Sequence, residues 1–190
     1  MDSLNIGFAI TGSFCTFKKA LALLKSLADD GHNLIPIMSV NASTIDTRFG
    51  IASDIVEQVE KICGKKIIDS IDKAEPIGPK NLLDILVIAP CTGNTLGKMA
   101  NGITDTAVTM AAKSTLRNQR PVLLGVSTND ALGASSKNIG MLQNAKNVYF
   151  IPMRQDDPKE KPASMVADFS KTSDAIKSAL ESKQLQPMVF

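Results

Sequence analysis

The residues best suited to chemistry lie in one short segment, Cys91-Thr92-Gly93-Asn94-Thr95, which directly follows an apolar run. That run, Ile85 to Ala89, carries no polar residue and is typical of a strand buried on both faces. The run ends at Pro90, and the small hydroxyl and amide residues that follow predict a turn that begins a helix. Backbone N–H groups and polar side chains at such a turn can bind an anionic or polar ligand at the carboxyl edge of a parallel sheet.

Two other predicted strand ends carry similar residues. Gly12 and Ser13 follow the first strand, and this short turn suits a single phosphate because it lacks the Gly-x-Gly-x-x-Gly pattern of dinucleotide sites. Ser39 and Asn41 follow the second strand, and Arg48 comes shortly after them with a planar guanidinium that fits a carboxylate or a phosphate. A serine before a helix is also a common N-cap, and arginines are common on surfaces. For these residues, ligand binding and an ordinary role as a helix cap or a surface charge therefore both remain open.

Composition limits the class of protein. The chain has 190 residues, 44% of them apolar and 21% charged, with a formal net charge of +2, which indicates one globular domain over residues 1–190. We expect neither nucleic acid nor a membrane as partner, and a cytoplasmic location, because no basic stripe, long apolar run or signal peptide is present. Three widely spaced cysteines and a single histidine, His32, predict neither a disulfide framework nor a metal site.

Strand and helix patterns alternate along the chain and predict an α/β fold. We expect a Rossmann-like three-layer sandwich with a parallel sheet of about five or six strands. Predicted strands cover residues 4–10, 34–40, 85–89, 121–127 and 148–152, and the last helix covers residues 164–182. The charged segment from Arg154 to Pro162 is predicted to be a long loop, either a solvated surface loop or a lid or oligomer contact.

The segment from Pro90 to Gly102 resembles the signature of the flavin-containing cysteine decarboxylases and flavin prenyltransferases. That signature is a Pro-Ala-Ser-Ala-Asn-Thr turn followed by a helix that ends in Ala-Asn-Gly, and here Pro90, Asn94 and Thr95 match it. The resemblance implies bound FMN, with the Gly12-Ser13 turn at its phosphate. The catalytic candidates are Asn94, in the signature turn, and Arg48, one of only four arginines and close to the predicted pocket edge. The cofactor-binding residues predicted on this basis are Gly12, Ser13, Ser39, Asn41, Cys91, Thr92, Gly93, Asn94, Thr95 and Asn129.

The chain also departs from that superfamily. Its decarboxylases place a catalytic histidine after the second strand, and this sequence has none there. Their Pro-x-Met-Asn-x-x-Met stretch, which helps to clamp the substrate, corresponds here to Ser127-Thr128-Asn129-Asp130-Ala131-Leu132-Gly133, so only Asn129 is kept. The scaffold therefore looks retained and the substrate clamp rebuilt, which disfavours a decarboxylase.

Over nearly its full length the chain is similar to the family of bacterial dipicolinate synthase B subunits. Blocks that carry this similarity are Ile10-Thr11-Gly12-Ser13, Thr47-Arg48-Phe49-Gly50, Gly78-Pro79-Lys80, Ser127-Thr128-Asn129-Asp130 and Gln155-Asp156-Asp157-Pro158. The resemblance implies oxidation of dihydrodipicolinate, or its hydroxytetrahydro precursor, to pyridine-2,6-dicarboxylate in the mother cell of a sporulating bacterium. It also implies a partner A subunit that binds NAD(P), a small dicarboxylate substrate, and a homo-oligomer built on trimers.

Two alternatives stay open. One is an FMN-dependent decarboxylase or flavin prenyltransferase. The other is a non-catalytic subunit whose pocket is empty and which only assembles or stabilises the A subunit. The sequence cannot separate a catalytic role for this chain from such an assembly role.

Overall fold

The computed structural model describes residues 3–190, and strands and helices alternate through most of this range. The strands are β1 (Asn5–Ile10), β2 (Asn33–Met38), β3 (Ile85–Cys91), β4 (Val122–Thr128), β5 (Val148–Phe150), β6 (Met153–Asp157) and β7 (Lys161–Ala167). The helices are α1 (Phe17–Asp29), α2 (Val40–Thr44), α3 (Ala52–Cys63), α4 (Ile71–Ala74), α5 (Gly93–Ala100), α6 (Ala107–Arg117), α7 (Ser136–Gln143) and α8 (Thr172–Leu180). Within residues 3–190, no helix is both long enough and apolar enough to cross a membrane.

All seven strands form one sheet, in the order β2-β1-β3-β4-β7-β6, with β5 also paired to β4. Strands β2, β1, β3, β4 and β5 are parallel, which confirms the predicted α/β sandwich and its five or six parallel strands. One edge of β4 is divided between two partners. Its first half, Val122 to Leu124, pairs with β5 in parallel, whereas Ser127 and Thr128 pair with β7 in antiparallel.

Alternate residues of β3 face two separate apolar cores, one on each side of the sheet. Leu86 and Ile88 pack with residues of α5, α6 and α7, and Ile85 and Val87 pack with residues of α1, α3 and α8. Every residue of β3 is buried. Full burial of one such aliphatic side chain is worth about 1.5–3 kcal/mol, which explains why this strand is apolar without interruption.

The segment after residue 152 differs from the prediction. Residues 154–162 were expected to be a loop and residues 164–182 a helix, but β6 and β7 form an antiparallel hairpin and α8 begins only at Thr172. Ala163 to Ala167 are small or unbranched residues with little strand preference apart from Val166. They are extended because they pair with β6 on one side and with Ser127 and Thr128 of β4 on the other, and the contact with β4 is a long-range one that a local pattern cannot reveal.

Two smaller differences affect the candidate site. The strand β3 continues through Pro90 to Cys91, past its predicted end, and β2 stops at Met38, so that Ser39 caps the short helix α2 instead of lying in a strand.

Gln184 covers the outer edge of β5 with its side-chain amide. Its Oε1 accepts a hydrogen bond from the Phe150 N–H at 2.8 Å, and its Nε2 donates to the Phe150 carbonyl at 2.7 Å. The amide thus satisfies both main-chain groups of Phe150 as a neighbouring strand would. The C-terminal residues continue this cover as far as Met153. The Met153 N–H donates to the Met188 carbonyl, and the Met153 carbonyl accepts from the Phe190 N–H.

We predict that Gln184→Ala lowers the free energy of unfolding by about 1–2 kcal/mol, because the N–H and carbonyl of Phe150 and the carbonyl of Leu185 lose this partner. Gln184→Glu should cost more, since a carboxylate replaces the amide donor beside the carbonyls of Phe150 and Leu185. Urea denaturation of the purified variants measures both changes. Gln143→Ala is the control, because that amide contacts only the Met188 sulfur, at 3.6 Å. Equal midpoints for all three variants would contradict this role of Gln184.

Candidate functional site

The carboxyl ends of β1, β2, β3 and β4 lie at the same edge of the sheet. This follows from their parallel pairing, because each strand is followed by a crossover that returns the chain to the opposite edge. All four strand ends are followed by predicted site residues, which are Gly12, Ser39, Thr92 and Asn129. The structure therefore gathers the predicted turns at one edge.

Thr11 joins the turn after β1 to the turn after β3. Its hydroxyl donates to the Pro90 carbonyl at 2.7 Å and accepts from the Thr92 N–H at 3.0 Å. The side chain is buried, so these two bonds satisfy a polar group that has no access to water. The relative position of Gly12 and Thr92 is thereby fixed.

Two further contacts connect the turn after β1 to its other neighbours. The Ser13 and Ser127 hydroxyl oxygens are 2.8 Å apart, which joins it to the end of β4. A β-carbon built on Gly12 would lie 3.6 Å from the Asn41 β-carbon, so Gly12 and Asn41 are neighbours. Ser127 was not among the predicted residues, because it was assigned to the strand 121–127, whereas Asn129 was selected from the resemblance.

Several backbone N–H groups at this edge are available to a ligand. Among residues 3–190, we find no acceptor for the N–H groups of Gly12, Phe14 and Cys15 after β1, or of Gly93 and Asn94 at the start of α5. Unpaired donors at helix starts bind water or the oxygens of an anion. The edge can therefore bind a phosphate through its main chain.

The residues Thr92 and Thr95 organise the start of α5. The Thr92 hydroxyl accepts from the Thr95 N–H at 3.4 Å, and the two hydroxyl oxygens are 3.1 Å apart. Thr95 is buried, so its side chain stabilises the turn. Asn94 is exposed and its amide is accessible at the edge of the sheet.

Cys91 lies in the core beneath this turn. The residue is completely buried, and burial raises the pKa of its thiol far above the ordinary value, which makes the sulfur unreactive. Its predicted place in a cofactor site remains a prediction, and its side chain can contribute to that site only by setting the position of Thr92.

Ser39, Asn129 and Arg48 differ in how firmly they are held. The Ser39 hydroxyl caps α2 by accepting from the Ala42 N–H at 3.3 Å, and the exposed Asn129 accepts from the Ser164 hydroxyl at 3.5 Å. Arg48 lies on an exposed turn, with its guanidinium carbon 4.8 Å from the centre of the Phe49 ring. In the described part of the chain, no hydrogen bond or ion pair joins Arg48 to the other predicted residues.

A second group of polar residues follows β4 and was missed by the sequence analysis. The hydroxyls of Thr128 and Ser135 donate to the same oxygen of Asp130, Oδ1, at 2.5 and 3.0 Å. The position of Thr128 and Asp130 beside Asn129 at the strand end was the only sequence signal, and it does not reveal the contact with Ser135. Across residues 3–190, no group of three or more His, Cys, Asp or Glu residues could hold a metal ion.

Comparison with known proteins agrees with this geometry. The flavoprotein family profile matches residues 1–181. The dipicolinate synthase B subunit of Bacillus subtilis (strain 168) is 48% identical over 192 aligned residues, which cover 100% of this chain and 96% of the relative. The crystal structure of the dipicolinate synthase B subunit from Bacillus halodurans C has a TM-score of 0.89 at 45% identity and covers 97% of this chain and 95% of its own.

A more distant structure has the same fold. The FMN complex of DmrB from Burkholderia xenovorans, described as a cubic protein cage for redox transfer, has a TM-score of 0.68 at 17% identity. It covers 93% of this chain and 94% of its own. The full-length match to the family profile and the high identity to two B subunits lead to one conclusion: the chain belongs to the flavoprotein family.

Proposed function

We propose that this chain is the B subunit of a dipicolinate synthase and that the edge described above binds FMN. One observation carries the proposal. The Gly12-Ser13 turn is joined to Ser127 by the Ser13 hydroxyl and to Thr92 through the neighbouring Thr11. These contacts occur in a chain that is similar over its full length to a known B subunit. With an A subunit that binds NAD(P), the chain would remove two hydrogens from dihydrodipicolinate, or from its hydroxytetrahydro precursor after loss of water, to give pyridine-2,6-dicarboxylate.

The proposed cofactor position follows from the donors at the edge. The phosphate would be bound by the N–H groups of the turn after β1 and by the hydroxyls of Ser13 and Ser127. Ser39, Asn41 and Asn94 would then face the ribityl chain and the ring, with amides and a hydroxyl as hydrogen-bond partners. A bound flavin supplies a two-electron acceptor, and the protein orients the substrate and excludes water.

The edge is open rather than enclosed. The cavities of about 580 and 410 Å³ lie elsewhere, beside β5 and between α1 and β7. Exposed apolar side chains follow β2 on this side of the edge, among them Val40, between Ser39 and Asn41, at 56% exposure, and Ile51, at the start of α3, at 53%. Such a surface is typical of a protein interface, so we propose that a second copy of the chain, in a trimer-based homo-oligomer, completes the pocket.

A non-catalytic assembly subunit is the second candidate, and the open edge favours it. A decarboxylase is the least favoured. His32, the only histidine, follows α1 at the opposite edge of the sheet, where its Nδ1 accepts from the Leu4 N–H at 3.3 Å. It therefore lies too far from the proposed cofactor position to act in that chemistry.

We predict that Ser13→Ala and Ser127→Ala each weaken FMN binding about tenfold and leave riboflavin binding unchanged within about twofold, because only FMN carries the phosphate. Quenching of flavin fluorescence during titration measures both affinities. Ser53→Ala, on exposed α3, is the control. Equal losses for FMN and riboflavin would disprove the phosphate position. If the unchanged protein binds no FMN at about 100 μM, the assembly-subunit function is favoured instead.

Arg48 and Asn94 should contribute in different ways. Arg48→Lys keeps the charge and loses the planar fork, so we expect substrate or FMN to bind about tenfold more weakly with no change in melting temperature. Asn94→Ala should lower flavin binding or turnover, also without unfolding the protein, since its side chain is exposed. Steady-state assays with an A subunit test both, and wild-type rates for both variants at all substrate concentrations would show that the site is wrongly placed.

The assembly can be tested separately. Light scattering should give a mass that is a multiple of three chains, and Ile51→Asp should shift it toward the monomer because a charge would be buried in the interface. Leu132→Asp is the matched control. Leu132 is as exposed as Ile51, but it follows β4, whereas Ile51 follows β2. A stable 20.3 kDa monomer over a wide range of concentrations would refute the oligomer.

A further inference from the structure

The carboxylate of Asp130 is held rigidly by one of its oxygens. The Thr128 and Ser135 hydroxyls both donate to Oδ1, which uses the only proton that each hydroxyl carries. For Oδ2 the described residues provide no partner, and this atom is not among the side-chain atoms buried without one. Asp130 therefore presents one acceptor oxygen, in a fixed position, to whatever occupies the surrounding space.

Gly93 brings this carboxylate against the first turn of α5. A β-carbon on Gly93 would lie 2.6 Å from the Ser135 hydroxyl, 2.8 Å from Asp130 Oδ1 and 2.9 Å from the Thr128 hydroxyl. Real side chains essentially never approach so closely, so three oxygens occupy the space that any other residue would need. The negative charge of Asp130 therefore lies directly against Gly93, the residue that precedes Asn94 in the turn.

This charge determines what a neighbouring ligand must present. A carboxylate oxygen accepts hydrogen bonds and repels other lone pairs and anions, and the repulsion is strong where the group is partly removed from water. A ligand at this turn that contacts the free Oδ2 of Asp130 must therefore present an N–H or O–H group to it. A ligand that offers only lone pairs at this position binds less well.

We propose that Asp130 accepts a hydrogen bond from the partly reduced ring of the substrate and disfavours the aromatic product, so that it determines specificity and aids product release. This inference rests on the proposed function. A hydroxytetrahydro ring carries a hydroxyl donor, and a dihydro ring in its enamine form carries an N–H. Pyridine-2,6-dicarboxylate has neither, and its ring nitrogen presents a lone pair between two carboxylates.

Two dicarboxylates with opposite hydrogen-bonding character at the ring nitrogen provide the test. Piperidine-2,6-dicarboxylate has a protonated ring nitrogen with donors, and pyridine-2,6-dicarboxylate has the lone pair. Calorimetric titration of the full-length protein should show the saturated ligand bound about tenfold more tightly than the aromatic one. In Asp130→Asn the ratio of the two affinities should fall to about twofold or less, because an amide can donate to the pyridine nitrogen.

The control is Asp174→Asn, which removes one negative charge from exposed α8 and should keep the wild-type ratio. Gly93→Ala tests the geometry without changing any charge, because its β-carbon must displace the oxygens. We expect an intermediate ratio there, provided that its melting curve shows a folded protein.

An unchanged ratio in Asp130→Asn would overturn the inference. So would a failure of all the proteins to bind either dicarboxylate at about 10 mM. The FMN titrations of the serine variants do not depend on Asp130, so a failure of the proposed flavin site and a failure of the Asp130 assignment would be distinguished.

Discussion

Burial of β3 on both faces determines where this protein can place polar groups. Every side chain from Ile85 to Cys91 is covered by helices on one side of the sheet or the other, so neither face has space for a ligand. The first free polar groups appear where the strand ends, at Thr92 and beyond. The same holds for β1 after Ile10, and the parallel pairing of the two strands brings both ends together. The candidate site is a consequence of how the core is packed.

The sequence predicts this part of the molecule well because the signals are local. A continuous apolar run identifies a doubly covered strand, and the hydroxyl and amide residues after it identify the turn. The positions of Gly12, Thr92 and Asn94 at one edge follow from the α/β alternation alone. The buried hydrogen bonds of Thr11 could not be predicted, since they depend on how closely the ends of β1 and β3 approach.

Prediction failed where long-range pairing decides the structure. The residues of β7 have no alternating pattern that would mark a strand, and they are extended because they pair with β6 and with the end of β4. Asp130 was missed for a related reason. A carboxylate in a turn is unremarkable in sequence, and its importance depends on Ser135, five residues later, and on Gly93 from a different turn.

Gly93 leaves the space that the Asp130 carboxylate occupies. The resembled superfamily has alanine where this chain has Gly93, and a methyl group there would collide with the Thr128, Asp130 and Ser135 oxygens. A glycine at the first position of an exposed helix turn would otherwise carry a small conformational cost relative to alanine. The glycine is therefore best understood as the change that admits the carboxylate.

The turn after β1 and the turn after β3 differ in charge. The turn after β1 has free N–H groups and no acidic neighbour among its described contacts, whereas the turn after β3 lies against the carboxylate of Asp130. The first turn favours an anion, whereas the second offers both the N–H groups of Gly93 and Asn94 and the carboxylate of Asp130, and so can bind a ligand that carries acceptors and a donor side by side.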